Sequence, residues 1–319
     1  MNIKKIGLTA LAASLVSVSA YAGEMSVAGS ASIGMKNNAG ATGGKSITMG
    51  NQLTFTGGGE LDNGLNVALS FVLDQADGVT AGTAPFDSHS ITISSDAMGS
   101  IVIAGEGAGN AQSALDTTAA GDIWDNGFKA VISGVETAYV GLVGSDASGS
   151  SINYTLPTLM DDLSVAVSYS PSGTAVESST AYGVTYTGVE GLSVSYGAGE
   201  AASTTALLQG DLTTMKASYA IGSFTAAYSN TESDLTTGTD EELSSFKLSY
   251  TVTDDLSVSY GEETHETSGT TVDEEFESVS VSYTTGGMTI TAAQYDATGL
   301  ANTAANKAER WKIGASFAF

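Results

Sequence analysis

The chain has 319 residues, with 10 Lys and Arg against 35 Asp and Glu, no Cys, 3 Pro and 39 Gly. The formal net charge of −25 excludes nucleic acid as a partner, because binding to a phosphate backbone needs a surplus of Lys and Arg. The lack of Cys excludes disulfide scaffolds and thiolate metal sites. Charged residues make up only 14% of the chain, and Gly, Ser, Thr and Ala fill most polar positions. This composition favours strands and turns over helices.

The first segment has the three parts of a secretory signal peptide. A short basic start (2–5) precedes an apolar run over 6–18 and the small-residue site at 20–22. The apolar run is shorter than the roughly 20 residues that a membrane-spanning helix needs. We therefore expect residues 1–22 to be cleaved and residues 23–319 to form the exported domain. Since no later apolar stretch is long enough for a spanning helix, membrane insertion would require a β-barrel.

Apolar side chains alternate with small polar ones through the rest of the chain. In the first run, Met25, Val27, Ile33 and Met35 lie on one face, and the opposite face carries Ser, Ala and Gly. Alternation with a period of two indicates a β-strand. With less regular runs near 89–94, 100–105 and 150–156, the runs predict 16 strands. The other clear runs are 47–55, 65–73, 163–169, 182–186, 192–196, 215–221, 224–228, 246–252, 256–260, 279–283, 288–292 and 311–319.

Short turns alternate with longer polar connections. Turns such as Asp62-Asn63-Gly64 and Gly286-Gly287 contrast with the polar stretches 75–87, 172–180, 230–242, 261–275 and 296–307. Short connections at one end and long ones at the other are typical of a transmembrane β-barrel. Aromatic residues occupy the apolar face, as expected at a membrane interface. The opposite face carries almost no bulky side chains, which suits a water-filled lumen. The prediction is an all-β, 16-stranded antiparallel transmembrane β-barrel; the alternative is an exported acidic β-rich adhesin or surface-layer protein.

Four segments carry a family resemblance. Residues 51–68 and 90–105 each read as a strand, a turn and a return strand, and 151–166 reads as a strand, Tyr-x-x-Pro, a turn and a strand. The chain ends in GASFAF at Phe319. In this order the segments resemble the Gram-negative general porins. The resemblance implies a homotrimer in the cell outer membrane, surrounded by its lipid, whose water-filled channels pass ions and small hydrophilic solutes by passive diffusion. It also implies that the outer-membrane assembly machinery reads Phe319 as a signal.

The longest stretch without clear alternation, about 106–149, is by the resemblance a constriction loop folded into the lumen. Its candidate acids are Glu106, Asp116, Asp122 and Asp125. The alternation puts the candidate bases of the opposing wall on the lumen face: Lys36, Arg310 and Lys312. The first and last strands must be neighbours if the barrel closes. By the resemblance, the two groups set up a transverse field, and the excess of acids predicts a preference for cations. Glu106 also stands where family members often have Arg.

Catalytic and metal sites have weak support in the sequence. His89 and His265 are the only histidines, and neither has a second His at metal-ligand spacing. We expect no enzyme and no obligatory cofactor, although the many serines leave a Ser-His-carboxylate hydrolase open, and we expect His265 to be a solvated loop residue. Acidic loops suit hard cations such as Ca²⁺ but lack the spacing of a dedicated calcium loop. The calcium candidates are Asp240, Glu241, Glu242, Asp273, Glu274 and Glu275.

Overall fold

The computed structural model describes residues 25–37, 44–74, 86–105, 109–126, 128, 150–171, 178–201 and 210–319. The predicted signal peptide and Glu106 lie outside the described residues. The strands are β1 (Met25–Asn37), β2 (Lys45–Glu60), β3 (Asn66–Asp74), β4 (Phe86–Ser95), β5 (Gly99–Ala104), β6 (Ser151–Thr155), β7 (Leu163–Ser170), β8 (Ser179–Val189), β9 (Leu192–Ala201), β10 (Gly210–Ile221), β11 (Phe224–Leu235), β12 (Glu241–Thr253), β13 (Leu256–Thr267), β14 (Glu274–Thr285), β15 (Met288–Thr298) and β16 (Lys307–Ala318). Two short 3-10 helices lie at Ile123–Asp125 and Leu300–Asn302.

The sheet closes on itself. Every strand pairs antiparallel with its neighbours in the chain, and β1 also pairs with β16. The prediction of a 16-stranded antiparallel barrel is confirmed. Turns at one end are tight, and Gly222 and Gly286 both adopt a φ of 56° there, a conformation that glycine reaches without steric cost. The connection from β5 to β6, at the other end, is the longest.

The barrel carries its apolar side chains on the outside. Ile47 is 71% exposed and Met215 is 51% exposed, although both belong to long strands in the closed sheet. An apolar surface of this extent marks a face that contacts membrane or protein. Many inward positions carry small polar groups, such as the hydroxyls of Ser259 and Ser280, which lie 2.7 Å apart. Among the described residues, no helix is long and apolar enough to span a membrane.

Strands β11 to β14 extend further than the alternation predicted. The predicted polar connections 230–242 and 261–275 shrink to 236–240 and 268–273. The outward positions turn polar beyond Tyr228 and Tyr260. The hydrogen bonds of a strand ladder are made by the backbone, so the strands continue where their apolar face ends. For β11 to β14, the alternation therefore located the apolar band correctly but underestimated the length of the strands.

A small hydrophobic core lies inside the barrel. It joins Ile123 and Phe128 of the long β5–β6 connection to Phe276 of β14 and Leu300. The rings of Phe128 and Phe276 lie 5.6 Å apart between centroids. This core holds residues 123–128 of the connection against the inner wall.

Candidate constriction site

The described part of the long connection, residues 109–126 and 128, follows the inner wall of the barrel; we call it the constriction loop. Three inward serine hydroxyls accept hydrogen bonds from its backbone. They are Ser168 from Ala111 N–H (3.0 Å), Ser229 from Ala119 N–H (2.8 Å) and Ser245 from Ala120 N–H (2.9 Å). Because the serines lie on β7, β11 and β12, the loop crosses much of the wall and narrows the lumen.

Two wall glycines let the loop approach the sheet closely. A Cβ atom added at Gly183 would lie 2.6 Å from the carbonyl oxygen of Ala111, and one at Gly261 would lie 2.8 Å from Cβ of Ala120. Both distances are shorter than van der Waals contact. The small residues on the inner face therefore make room for the loop as well as for water.

Glu263 on β13 anchors the described part of the loop through both of its carboxylate oxygens. Its carboxylate accepts hydrogen bonds from the Thr118 hydroxyl and from the Trp124 backbone N–H, the latter at 2.9 Å. The side chain is 1% exposed. The sequence analysis missed Glu263 because it falls in a stretch predicted to be a loop. Its inward direction follows only if the alternation of β13 is continued past Tyr260.

The predicted acids of the loop occupy three different environments. Asp122, with a φ of 53°, accepts a 3.0 Å hydrogen bond from Thr118 N–H through Oδ1, and Asp125 is exposed. Asp116 is partly buried, and burial first, then the nearby charge of Asp122, raises the pKa of its carboxyl to about 6. The structure thus gathers three of the four predicted acids on one loop.

The predicted bases divide into two groups. Lys36 and Lys312 lie directly opposite each other on the inner face of β1 and β16. Arg310 is only 5% exposed. Its Nη1 donates a 2.9 Å hydrogen bond to the carbonyl oxygen of Asn126, and its guanidinium lies 5.9 Å from the Phe128 ring centroid. Arg310 therefore binds the end of the constriction loop, and the two lysines belong to the wall beside it.

Lys216 is an inward base that the sequence analysis did not select. Its ammonium donates a 2.8 Å hydrogen bond to the carbonyl oxygen of Thr117, and its charge acts to lower the pKa of Asp116. Its position next to the outward Met215 would have identified it as lumen-facing.

The expectation that His265 is a solvated loop residue is wrong. It is 4% exposed on β13, with Nδ1 at 3.0 Å from Oε2 of Glu274 and Nε2 at 3.8 Å from Oε2 of Glu241. The strand extends past its apolar band, and alternation turns the imidazole inward.

The calcium candidates are divided between the two faces of the barrel. Glu241 and Glu274 point inward, whereas their chain neighbours Glu242 and Glu275 point outward, since successive strand residues face opposite sides. Asp240 and Asp273 lie in the connections before β12 and β14. Within the described ranges, no group of three or more His, Cys, Asp or Glu could hold a metal ion. Calcium binding remains a prediction.

The C-terminal residue completes the closure of the barrel. Phe319 N–H donates to Gly29 O at 2.9 Å, and Gly29 N–H donates to Phe319 O at 2.7 Å. The ring is 76% exposed on the outer face. Its role as an assembly signal remains a prediction.

Comparisons with known proteins agree with this architecture. The family model described as Gram-negative porin matches residues 7–319. OmpF of Salmonella typhi in complex with daunomycin superposes with a TM-score of 0.70 at 12% identity, covering 93% of this chain and 98% of that one. An anion-selective porin from Comamonas acidovorans gives 0.65 at 16%, with 93% and 99% covered. The trimer form of OmpT from Vibrio cholerae gives 0.65 at 15%, with 93% and 100% covered. A search of curated protein sequences found no significant match.

These solved structures establish the fold, and the family match covers nearly the whole chain. The fold and the family are those of channel proteins and not of known enzymes. The chain therefore belongs to the Gram-negative porin family, whose barrels are outer-membrane channels for small solutes.

Proposed function

We propose that this chain forms a water-filled, cation-preferring pore for passive diffusion of ions and small hydrophilic solutes, exported by its signal peptide and working as a homotrimer. The observation that carries cation preference is the unequal exposure of charge at the constriction loop. Asp125 is exposed on the loop, whereas Arg310 is 5% exposed and bonded to the loop backbone. Exposed carboxylates in a narrow passage raise the local concentration of cations. The closed barrel with an apolar outer surface favours this function over that of an adhesin.

Salt limits the size of the effect. The Debye length is about 8 Å at physiological ionic strength and about 3 Å at 1 M. The field of the loop carboxylates therefore reaches across a narrow lumen in dilute salt and is screened in concentrated salt. We expect clear cation preference at low KCl and a ratio near unity at high KCl.

Reversal potentials in a KCl gradient across a planar bilayer test the proposal. The wild-type pore should favour K⁺, and the double variant Asp122→Asn with Asp125→Asn should move the permeability ratio toward unity. Asn at 122 keeps an oxygen that can accept the Thr118 N–H bond, so the loop geometry should survive. The control is Asp296→Asn, on the outward face of β15. An anion-selective wild type contradicts the proposal, and an unchanged double variant assigns selectivity to other charges.

Two short strands support the homotrimer. β5 has 6 residues and β6 has 5, fewer than the roughly 9 to 11 of a strand that spans a bilayer. Beside them the outer face holds a recess of about 540 Å³, lined by apolar residues that include Phe71, Ile91 and Ile103. Because β5 and β6 are too short to span the bilayer, we expect the outer face beside them to contact a neighbouring subunit and not lipid. Migration as a trimer in unheated detergent gels, lost with Ile91→Arg, is the expected result, whereas a monomeric wild type contradicts it.

A further inference from the structure

A recess in the inner wall lies where β15, β16, β1 and β2 meet. Its volume is about 290 Å³, near the lower end of the range for small-molecule sites. The side chains that frame it on the lumen side are Ser32, Thr48, Thr291, Ser316, Tyr295 and Lys312. These six side chains belong to the inward set of their strands, as do all the other lining residues except Ile33 and Ala315, so the recess opens to the lumen.

The strand register gives the recess its shape. Gly34 and Gly314 are directly opposite each other and form a floor without side chains. Thr48 flanks Gly34 on one side, and Thr291 flanks Gly314 on the other. The next inward residues in the direction of the tight turns are Ser32 and Ser316, which are register partners. Hydroxyl groups therefore border the glycine floor on three sides.

Two lysines follow on the fourth side, where Lys312 lines the recess and Lys36 lies beside it on β1. Lys36 and Lys312 are the next inward residues in the direction of the long connections, and they are register partners. Like charges placed directly opposite each other on neighbouring strands destabilise the pairing. Neither lysine forms an ion pair with a carboxylate of the described residues, where the ion pairs found are those of His265. An anion bound between the ammonium groups would relieve this repulsion.

We propose that the recess binds a solute carrying a dianionic phosphate, with Lys36 and Lys312 on the phosphate and the flanking hydroxyls on its remaining oxygens or on an attached polyol. Lysine binds phosphate as a point charge, and hydroxyl donors satisfy several oxygens at once. The inference rests on the proposed function, because it needs a water-filled lumen. It adds a local anion site to a pore whose overall preference is for cations.

The first experiment titrates inorganic phosphate against single-channel KCl currents of the full-length pore, at about pH 8 where phosphate is mostly dianionic. We expect a saturable reduction of the current. The double variant Lys36→Gln with Lys312→Gln should raise the half-effective concentration at least about tenfold, which corresponds to about 1.4 kcal/mol. Lys307→Gln, which removes the same charge from the outward face of β16, should leave the titration unchanged.

A second variant distinguishes binding in the recess from non-specific attraction of phosphate to the two lysine charges. Gly34→Val fills the floor and keeps both lysines; the nearest atom to an added Cβ is the Thr48 hydroxyl, which can rotate away. It should weaken the phosphate effect and leave the KCl reversal potential unchanged. Glycerol phosphate should act like inorganic phosphate, and glycerol alone should not act.

Three results would overturn the inference. They are a wild-type current that phosphate does not reduce saturably, acetate acting as strongly as phosphate, and a Gly34→Val titration identical to the wild type. Each of these leaves the pore itself intact. A protein that opens no channels at all refutes the proposed function instead, so the two failures are distinguishable.

Discussion

Replacing Glu263 tests whether a single buried carboxylate holds the constriction loop in place. Its two main partners both donate: the Thr118 hydroxyl and the Trp124 N–H at 2.9 Å. In Glu263→Gln one carboxylate oxygen becomes an amide NH₂ group, which cannot accept either bond. Thr118 Oγ1 cannot readily accept from that amide, because it already accepts from the N–H groups of Gly121 (3.1 Å) and Asp122 (2.6 Å).

The size of the effect expected for Glu263→Gln follows from the hydrogen bond that the loop loses. A hydrogen bond to a charged group contributes about 1.5 to 3 kcal/mol. The detached state of the loop should therefore become roughly 10- to 150-fold more populated. The strand ladder does not involve this side chain, so the heat-induced shift in gel mobility should stay close to that of the wild type. We expect more frequent current sub-states in single-channel recordings together with a normal barrel.

The matched control is Glu262→Gln on the same strand. Glu262 is exposed on the outward face, where its carboxylate accepts from the Tyr260 hydroxyl. This variant removes one negative charge at almost the same height without touching the loop. If Glu262→Gln raises the frequency of sub-states as much as Glu263→Gln, or if Glu263→Gln behaves like the wild type, the anchoring role is refuted.

Three further predictions concern the wall, the terminus and the loop. Val165→Arg on the lipid face should cost roughly 2 to 4 kcal/mol near the bilayer midplane, and Ser164→Arg on the lumen face should cost much less; assembly yields measure both, and equal yields would contradict the assignment of faces. Deleting Phe319 removes the backbone pair with Gly29 and should lower surface levels of assembled protein, which quantitative immunoblotting of outer membranes would check. Because the pKa of Asp116 is raised to about 6, its carboxyl gains charge as pH rises through that value. Cation preference should therefore decrease as the pH is lowered from about 7 to about 5 in the wild type, and it should change less in Asp116→Asn.

The strands were predictable because alternation is a local signal. A side chain at every second position faces lipid, so Met25 to Met35 or Leu248 to Val252 specify a half-apolar strand without reference to distant residues. Closure was predictable too, since the lumen faces of Lys36 and Lys312 had to meet if the first and last strands paired. Their direct register opposition confirms that neighbourhood.

The ends of the strands were less predictable. Above the apolar band, the outward positions of β13 carry Glu262 and Glu266, and the inward positions carry Glu263 and His265. Both faces then look polar in the sequence, so the stretch resembles a solvated loop. Only the backbone pairing with β12 and β14 distinguishes strand from loop at this height.

The amino-acid sequence by itself determined the barrel, its 16 strands and the sign of its charge, because each of these depends on composition or on a period of two residues. The tertiary structure alone decided how the loop narrows the lumen. The bonds from Thr118 to Glu263 and from Arg310 to Asn126 join residues 145 and 184 positions apart. No local pattern encodes such pairs, since they exist only after closure of the sheet has brought the loop against the opposite wall.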